Sequence, residues 1–230
     1  MKGVSLIEVM LAMSLTLGIL GLAMGTVSYN SKSTREVHSR QDRLESVFHA
    51  VDAIRSDLGK CGMRLQKAFH QLARNPLTVN EKGFSLSWGE SVETIMGPVS
   101  RGESFLPVAS NAFFQNGREV VICSESAGIT EEHRIREKTS YGLYLEQPLR
   151  NDFPENSEVV VKKNVEYRYF PQPGELKRKV GRGGFQPLLT GATDFYVHFF
   201  PETNSVLYRI ELNKREQIRG YLFLVNLVQP

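Results

Sequence analysis

The first 25 residues constrain the fold of this chain more than any other part of it. From Val4 to Gly25 the sequence is apolar, and Glu8 is the only charged residue in that stretch. Because about 20 apolar residues are enough to span a bilayer, the run predicts one membrane-spanning helix. A carboxylate at the centre of such a helix costs about 2.5 to 3.5 kcal/mol. Glu8 lies nearer the end and costs less, but some interaction should still offset its charge.

A short basic leader precedes the apolar run. Met1-Lys2-Gly3 is followed by Val4 and then by Ser5-Leu6-Ile7-Glu8-Val9-Met10. This succession resembles the N-terminus of the type IV pilins and of the pseudopilins of type II secretion, although Val4 stands where Phe or Met is usual. The resemblance implies that a prepilin peptidase cuts between Gly3 and Val4, that Val4 is then N-methylated, and that Glu8 is the fifth residue of the mature chain.

The chemistry of the resemblance gives Glu8 a role in subunit assembly. Cleavage after Gly3 leaves an ammonium group on Val4, close to the membrane surface. Glu8 of one subunit can pair with that ammonium on a neighbouring subunit, and a paired charge in an apolar medium costs far less than a lone one. Two alternatives are an ordinary signal anchor with an incidental Glu8 and a secretory signal peptide cut at Ala23-Met24-Gly25.

Length and charge indicate an exported protein with one domain and an anchor. The chain has 230 residues, which suffices for one anchor helix and one domain of ordinary size. Its net charge of +3 is too small to predict direct nucleic-acid binding. Lys2 favours a cytoplasmic N-terminus. We therefore expect a single-pass protein of the bacterial inner membrane whose C-terminal domain is periplasmic or extracellular and later joins a pilus or pseudopilus filament.

The helix is expected to continue beyond Gly25 as an amphipathic helix. Apolar residues recur at alternating spacings of three and four, which marks one helical face: Leu44, Val47, Val51, Ile54, Leu58, Cys61 and Leu65. Most charged residues of the segment, including Asp52, Arg55 and Asp57, are expected off this face. We predict that the helix covers residues 26–72, with an end between Leu58 and Leu72, and that it packs on a sheet.

Short strands and turns are predicted after Asn75-Pro76. The candidate strands are residues 84–88, 120–123, 141–145, 159–161, 165–170, 175–178, 195–200, 206–210 and 221–228. Because no helices intervene, the sheet should be antiparallel. The predicted fold class is therefore α+β and pilin-like, with a long N-terminal α-helix packed on an antiparallel β-sheet domain. The domains would be a leader (1–3), a membrane helix (4–25), an amphipathic helix (26–72) and a β-rich domain (73–230).

A second resemblance concerns the C-terminal half. Tyr167-Arg168-Tyr169, a turn, Leu176-Lys177-Arg178, then Pro187-Leu188-Leu189-Thr190-Gly191 and an aromatic strand at Phe195 are similar to the PilW-type minor pilins and the GspJ-type minor pseudopilins. The resemblance implies a minor pilin that primes or caps a pilus filament serving adhesion, twitching motility or DNA uptake. A minor pseudopilin of type II secretion is the first alternative, and a membrane-anchored periplasmic binding module is the second.

The pilin-like interpretation also names the partners. It implies contacts with the prepilin peptidase, with other minor and major pilins or pseudopilins, with the inner-membrane assembly platform and with membrane lipid. Cys61 and Cys123 are the only cysteines, and in an oxidising compartment they are permitted to form a disulfide. Because both also lie in apolar patterns, two buried thiols are the alternative.

No catalytic constellation is recognisable in the sequence. The five histidines, His38, His49, His70, His133 and His198, show no metal-ligand spacing. Residues 181–184 form a glycine-rich segment that is expected to be a turn and not a phosphate loop. We therefore predict no enzymatic activity, no cofactor and no metal. The charged residues 131–138 predict a solvated loop or short helix, with a contact surface for another minor pilin as the functional alternative.

Overall fold

The computed structural model of the protein describes residues 6–66, 68, 75–212 and 216–227. It has one long N-terminal apolar helix followed by an antiparallel β domain, which is an α+β arrangement. Helix α1 covers Leu6–Lys60, and the described strands are β1 (Leu77–Asn80), β2 (Gly83–Thr94), β3 (Phe105–Leu106), β4 (Glu119–Ser124), β5 (Ile129–Thr139), β6 (Gly142–Leu145), β7 (Glu158–Phe170), β8 (Glu175–Val180), β9 (Gln186–Thr190), β10 (Asp194–Phe200), β11 (Ser205–Glu211) and β12 (Gln217–Phe223). The chain divides into two compact units, residues 1–49 and 50–230.

The C-terminal part of α1 packs by an apolar face that differs in detail from the predicted one. Ala50, Ile54 and Leu58 are fully buried, as expected for an amphipathic helix. Leu44, however, is 57% exposed, so the prediction that it belongs to the buried face is wrong. Asp57 is buried, which corrects its assignment to the polar side. The reason is its spacing: Asp57 follows Ile54 by three residues and precedes Cys61 by four, so it lies within the buried face.

Helix α1 ends at Lys60, inside the predicted interval. Gly62 follows with φ of +75°, a left-handed conformation that favours glycine. A β-carbon at Gly62 would also lie 2.7 Å from the carbonyl oxygen of Asn226. The glycine therefore lets the chain turn sharply while the C-terminal segment approaches its backbone.

Strand β7 organises the larger sheet, whose described strands are all antiparallel and follow the order β1-β2-β7-β4-β5-β6-β3. One edge of β7 pairs with β2. The other edge pairs with β4 along residues 158–162 and with β8 along residues 165–170, and β9 continues from β8. Two predicted strands, 159–161 and 165–170, are thus parts of one 13-residue strand.

The larger sheet buries residues on both faces because side chains alternate along each strand. Val159 and Val161 contribute to a large apolar core that also contains Val120, Ile122 and Phe153. Val160 points to the opposite face, where it packs with Val121, Leu65 and Ala68 in a second cluster.

The smaller sheet is a three-stranded meander in the order β10-β11-β12. Phe195, Val197, Val206, Tyr208 and Ile210 are buried on one of its faces. The predicted strands 195–200 and 206–210 lie within β10 and β11. The last prediction, 221–228, is partly wrong, because β12 covers Gln217–Phe223, residues 224–227 are not in a strand, and residue 228 lies outside the described residues.

The charged segment 131–138 is a strand, so the prediction of a solvated loop or short helix is wrong. It belongs to β5, which pairs with β4 and β6. Glu131, His133 and Ile135 are buried, whereas Glu132 is exposed. The alternation of burial shows the period of two that defines a half-buried strand, and cross-strand pairing overrode the poor strand propensity of the charged side chains.

Candidate functional site

The residues of the predicted processing site are only partly described. Gly3 and Val4, the predicted cleavage and methylation site, lie outside the described residues. Glu8 lies in the first turn of α1 and is exposed. Apolar neighbours such as Ile7 and Leu11 are 71% and 61% exposed. Glu8 is therefore on the surface of the segment that is predicted to span the membrane, and its role in assembly stays a prediction.

The N-terminal part of α1 has the properties of a membrane anchor. Among the described residues, α1 is the one helix long and apolar enough to cross a membrane. No residue in its most apolar 18-residue stretch is buried. The hydroxyls of Ser14 and Thr16 donate to the carbonyl oxygens of Met10 and Ala12 at 3.0 and 2.7 Å. A polar group in lipid needs such an internal partner. The exposed surface of this segment is therefore suited to lipid.

A buried polar cluster joins α1 to the larger sheet. Asp57 accepts a hydrogen bond from the Tyr167 hydroxyl at 2.6 Å and bonds from Nε and Nη2 of Arg178 at 2.9 and 2.7 Å. Burial and the bond to Asp57 raise the pKa of Tyr167. Burial alone would lower the pKa of Arg178, but the bonds and charges of Asp57 and Tyr167 outweigh it and raise this pKa. The cluster therefore contains a carboxylate, a guanidinium and a neutral phenol.

This cluster is one of two buried polar groups that the sequence interpretation missed, the other being Glu131 with His133. The signal was available in the spacing, since an acid at three residues from Ile54 and four from Cys61 falls on the apolar face. Its partners come from β7 and β8, far away in sequence. Tyr167 is further held by its ring, which stacks on Phe84 with centroids 4.7 Å apart and planes 14° apart. The cluster therefore joins the helix to β7 and β8.

A second polar contact joins the same helix to the smaller sheet. Nε of Arg55 donates to the Tyr208 hydroxyl at 3.2 Å. Tyr208 is fully buried and lies opposite Gly220 of β12. A β-carbon at Gly220 would lie 2.1 Å from the Tyr208 ring, so the glycine provides the space that the ring occupies. Arg55 and Asp57 together attach one turn of α1 to both sheets.

A buried pair of hydrogen-bonded side chains, Glu131 and His133, lies on β5. Glu131 and His133 have a contact of 2.6 Å between Oε2 and Nε2, and their side chains are 6% and 3% exposed. Glu131 also accepts bonds from the Arg150 amide at 3.0 and 3.1 Å and from the Asn151 side chain at 2.7 Å. Burial raises the pKa of Glu131, but these hydrogen bonds and the charge of His133 outweigh it and lower the pKa overall. Glu131 thus holds the loop between β6 and β7.

A cleft of about 440 Å³ opens where β4 and β8 separate along β7. Its lining includes four cationic residues, Arg118, Lys162, Lys163 and Arg182. Three of them are engaged: Arg118 and Lys163 pair with Glu90 at 3.3 and 2.5 Å, and Lys162 pairs with Glu132 at 2.8 Å. Within the described part of the chain, no group of three His, Cys, Asp or Glu side chains could hold a metal ion.

Cys61 and Cys123 are both buried thiols in the structure. Cys61 precedes Gly62, whose amide donates to the carbonyl oxygen of Ser87, and Ser87 lies opposite Asn164 of β7. Cys123 lies opposite Glu158 of the same strand. Six residues of β7 separate the two positions, about 20 Å at 3.3 Å per residue. A disulfide needs Cα atoms within about 7 Å. The structure therefore favours two core thiols, and burial raises the pKa of Cys61 to about 12.

Comparison with known proteins gives no family for this chain: no family model matches it, and no curated protein matches it. The class of protein is therefore defined by its own fold. It is a chain with one apolar N-terminal helix, long enough to span a membrane, and an antiparallel β domain.

Proposed function

We propose that this protein is a minor subunit of a pilin-like filament, of the PilW type, that primes or caps assembly after its leader is removed. The observation that carries the proposal is the composition of α1. One 55-residue helix bears an exposed apolar surface in its first part and buried residues from Ala50 onward in its last part. This helix serves as an anchor in the membrane and as a packed element of the β domain.

Lys2 gives the anchor its orientation in this proposal. A basic residue before the apolar run favours a cytoplasmic N-terminus. The β domain then lies outside the inner membrane, where the other pilin-like subunits and the assembly platform are its partners. A minor pseudopilin of type II secretion, of the GspJ type, would have the same anchor and processing, and the two differ in the subunits that they contact.

The leader sequence supplies the first test. Mass spectrometry of the membrane-bound protein should find Val4 as the N-terminal residue, carrying an added methyl group. Replacing the small residue at the cut, Gly3→Trp, should leave the leader in place, because the peptidase must reach the adjacent bond. The control Ser5→Ala should be cut normally. A protein that keeps Met1, or one that begins at Thr26, would exclude processing of the prepilin type and favour a plain anchor or a signal peptide.

Glu8 supplies the second test. In this proposal the Val4 ammonium of one subunit pairs with Glu8 of its neighbour within the membrane. Glu8→Gln should be inserted and cleaved, because the cut lies five residues away, but its crosslinking to other pilin-like subunits should fall. Removing one member of a buried ion pair costs about 3 to 5 kcal/mol. Glu36→Gln, an exposed glutamate later in the same helix, is the matched control. Equal crosslinking of both variants would contradict the assembly role.

A further inference from the structure

The smaller sheet has one face that the rest of the described domain does not cover. Alternate residues of β10, β11 and β12 lie on the side opposite to buried Tyr208 and Ile210. Five of them carry rings, Tyr196, His198, Phe200, Tyr221 and Phe223, and we call this set the aromatic face. Tyr196, Tyr221 and Phe223 are 44%, 51% and 62% exposed. Exposed rings gathered on one surface mark an interaction site more often than scattered ones do.

The rings of the aromatic face form a continuous row from β10 to β12. Tyr196 and His198 are parallel with centroids 6.3 Å apart, and His198 meets Phe200 edge-on at 4.4 Å. Phe200 lies 6.4 Å from Tyr221, which meets Phe223 edge-on at 5.2 Å. These distances are in the range of favourable aromatic contacts. The rings therefore support one another although they face solvent.

Polar contacts hold two of these rings in place. The Tyr221 hydroxyl lies 2.5 Å from Oγ of Ser205, which is fully buried in the neighbouring strand. The guanidinium of Arg209 lies 5.4 Å from the centre of the Tyr196 ring. Because the rings are already ordered, a ligand that stacks on them loses little extra side-chain entropy on binding.

The dimensions of the face indicate the size of its partner. Strands of seven residues are about 23 Å long, and three strands are about 14 Å wide, so the face covers roughly 320 Å². A stable protein–protein interface buries about 800 Å² on each partner. The aromatic face by itself is smaller than such an interface, and its length and width match a slender chain.

The charges and hydrogen-bonding groups indicate the chemistry of that chain. On this face Arg209 pairs with Glu211 at 3.1 Å and approaches Asp194 at 3.8 Å, and Arg219 bonds to Gln217 at 3.0 Å. Among the described residues of this face the charges nearly balance, which matches a neutral ligand. Donors and acceptors both surround the rings. Sugar hydroxyls use both, whereas an extended proline-rich peptide offers chiefly carbonyl acceptors.

We propose that the aromatic face binds a neutral, extended oligosaccharide built of β-linked pyranose rings. The apolar C–H faces of the sugars stack on Tyr196, Tyr221 and Phe223. Their hydroxyls exchange hydrogen bonds with Arg219, Gln217 and Glu211 at the rim. This binding does not depend on filament assembly, so it stands or falls separately from the proposed function.

The test is calorimetric titration of the full-length protein in lipid nanodiscs, which avoid the sugar headgroups of glycoside detergents. The probes are cellohexaose and chitohexaose, two β-1,4-linked chains with different substituents. At least one should bind. Tyr221→Ala and Phe223→Ala should each weaken that binding about tenfold, the loss of one aromatic contact. Tyr221→Phe, which keeps the ring, should retain most of the affinity.

Tyr141→Ala is the matched control, because Tyr141 is 82% exposed and lies outside the aromatic face. Its binding should equal that of the unchanged protein. The proposal is overturned if neither probe binds at millimolar concentration, if Tyr141→Ala weakens binding as much as Tyr221→Ala, or if decaproline binds in place of the sugars.

Discussion

At the scale of single residues, Asp57 illustrates how an apolar helix face accommodates a carboxylate. Its side chain is 5% exposed, and a buried charge is tolerated only where it is paired and hydrogen-bonded. Tyr167 and Arg178 meet that need, one from each of two adjacent strands. The contact specifies which turn of α1 lies over β7 and β8, since sliding the helix would move Asp57 away from both Tyr167 and Arg178.

Asp57→Ala should lower the free energy of unfolding by about 3 kcal/mol, because Arg178 and Tyr167 then lose their common partner. Asp52→Ala is the control, since Asp52 is an exposed aspartate on the same helix. It should change stability by less than about 0.5 kcal/mol. Urea unfolding of the detergent-solubilised protein measures both, with the buried Trp88, the only tryptophan, as the fluorescent probe. Equal midpoints for the two variants would mean that the cluster adds no stability.

Glu131 should make stability depend on acid pH. Its folded pKa is lowered below the usual 4.5, so it binds fewer protons in the folded state than in the unfolded state near that pH. Its contribution to the free energy of unfolding is therefore complete above the pKa of the unfolded state. That contribution is lost as the pH falls through the pKa of the folded state, from about pH 5 downward. Urea midpoints of unfolding, measured across this pH range, should fall less steeply with decreasing pH for Glu131→Gln than for the unchanged protein. Glu137→Gln, at an exposed position of the same strand, is the control, and its midpoints should fall as those of the unchanged protein do.

At the scale of elements, the sequence pattern predicted the helix α1 but did not predict the strand β5. The helix was predictable because its apolar residues repeat over many turns within one segment. Strand β5 was not, since its charges are typical of a loop, and it forms because β4 and β6 pair with it on either side. Similarly, β3 has two residues and forms only by pairing with β6.

The packing of β12 against Tyr208 should be destabilised when a side chain fills the space beside Gly220. Gly220→Ala would place a methyl group 2.1 Å from the Tyr208 ring and displace its hydroxyl from Arg55. We expect thermal unfolding to show a loss of about 1 to 3 kcal/mol, the usual cost of overpacking a core. Gly97→Ala is the control, because a β-carbon there meets no atom within 4 Å. A Gly220→Ala protein as stable as the control would show that the meander relaxes at no cost.

At the scale of the whole molecule, the apolar segment and the β domain are suited to different solvents. The segment carries exposed apolar side chains that water disfavours, whereas the β domain buries its own core. The apolar run lies wholly within the first compact unit, residues 1–49, and all described strands lie within the second, residues 50–230.

A chain that begins at Thr26 should therefore be soluble without detergent and monomeric in analytical ultracentrifugation. The full-length protein should need detergent or lipid. Both should give the same near-ultraviolet circular dichroism from the β domain. If the shortened chain still aggregates or needs detergent, then the apolar run is not the part that makes the protein insoluble in water.

The thiols of Cys61 and Cys123 test the register of the larger sheet. Denatured protein purified under oxidising conditions should titrate with two thiols, because Cys61 and Cys123 lie about 20 Å apart along β7. A protein with no titratable thiol would contradict the register of the larger sheet.

The sequence by itself determined the apolar N-terminal helix, its amphipathic continuation, most strands and their antiparallel arrangement, because these follow from the period and length of apolar patterns within short segments. Only the tertiary structure decided which groups pair with Asp57, that β5 is a strand, that the two cysteines lie apart, and that five rings from β10 and β12 share one face. Each of those facts depends on which strands become neighbours, and for Asp57 and the cysteines those strands are far apart in the sequence. That choice is made by packing across the whole domain and leaves no local signal in the chain.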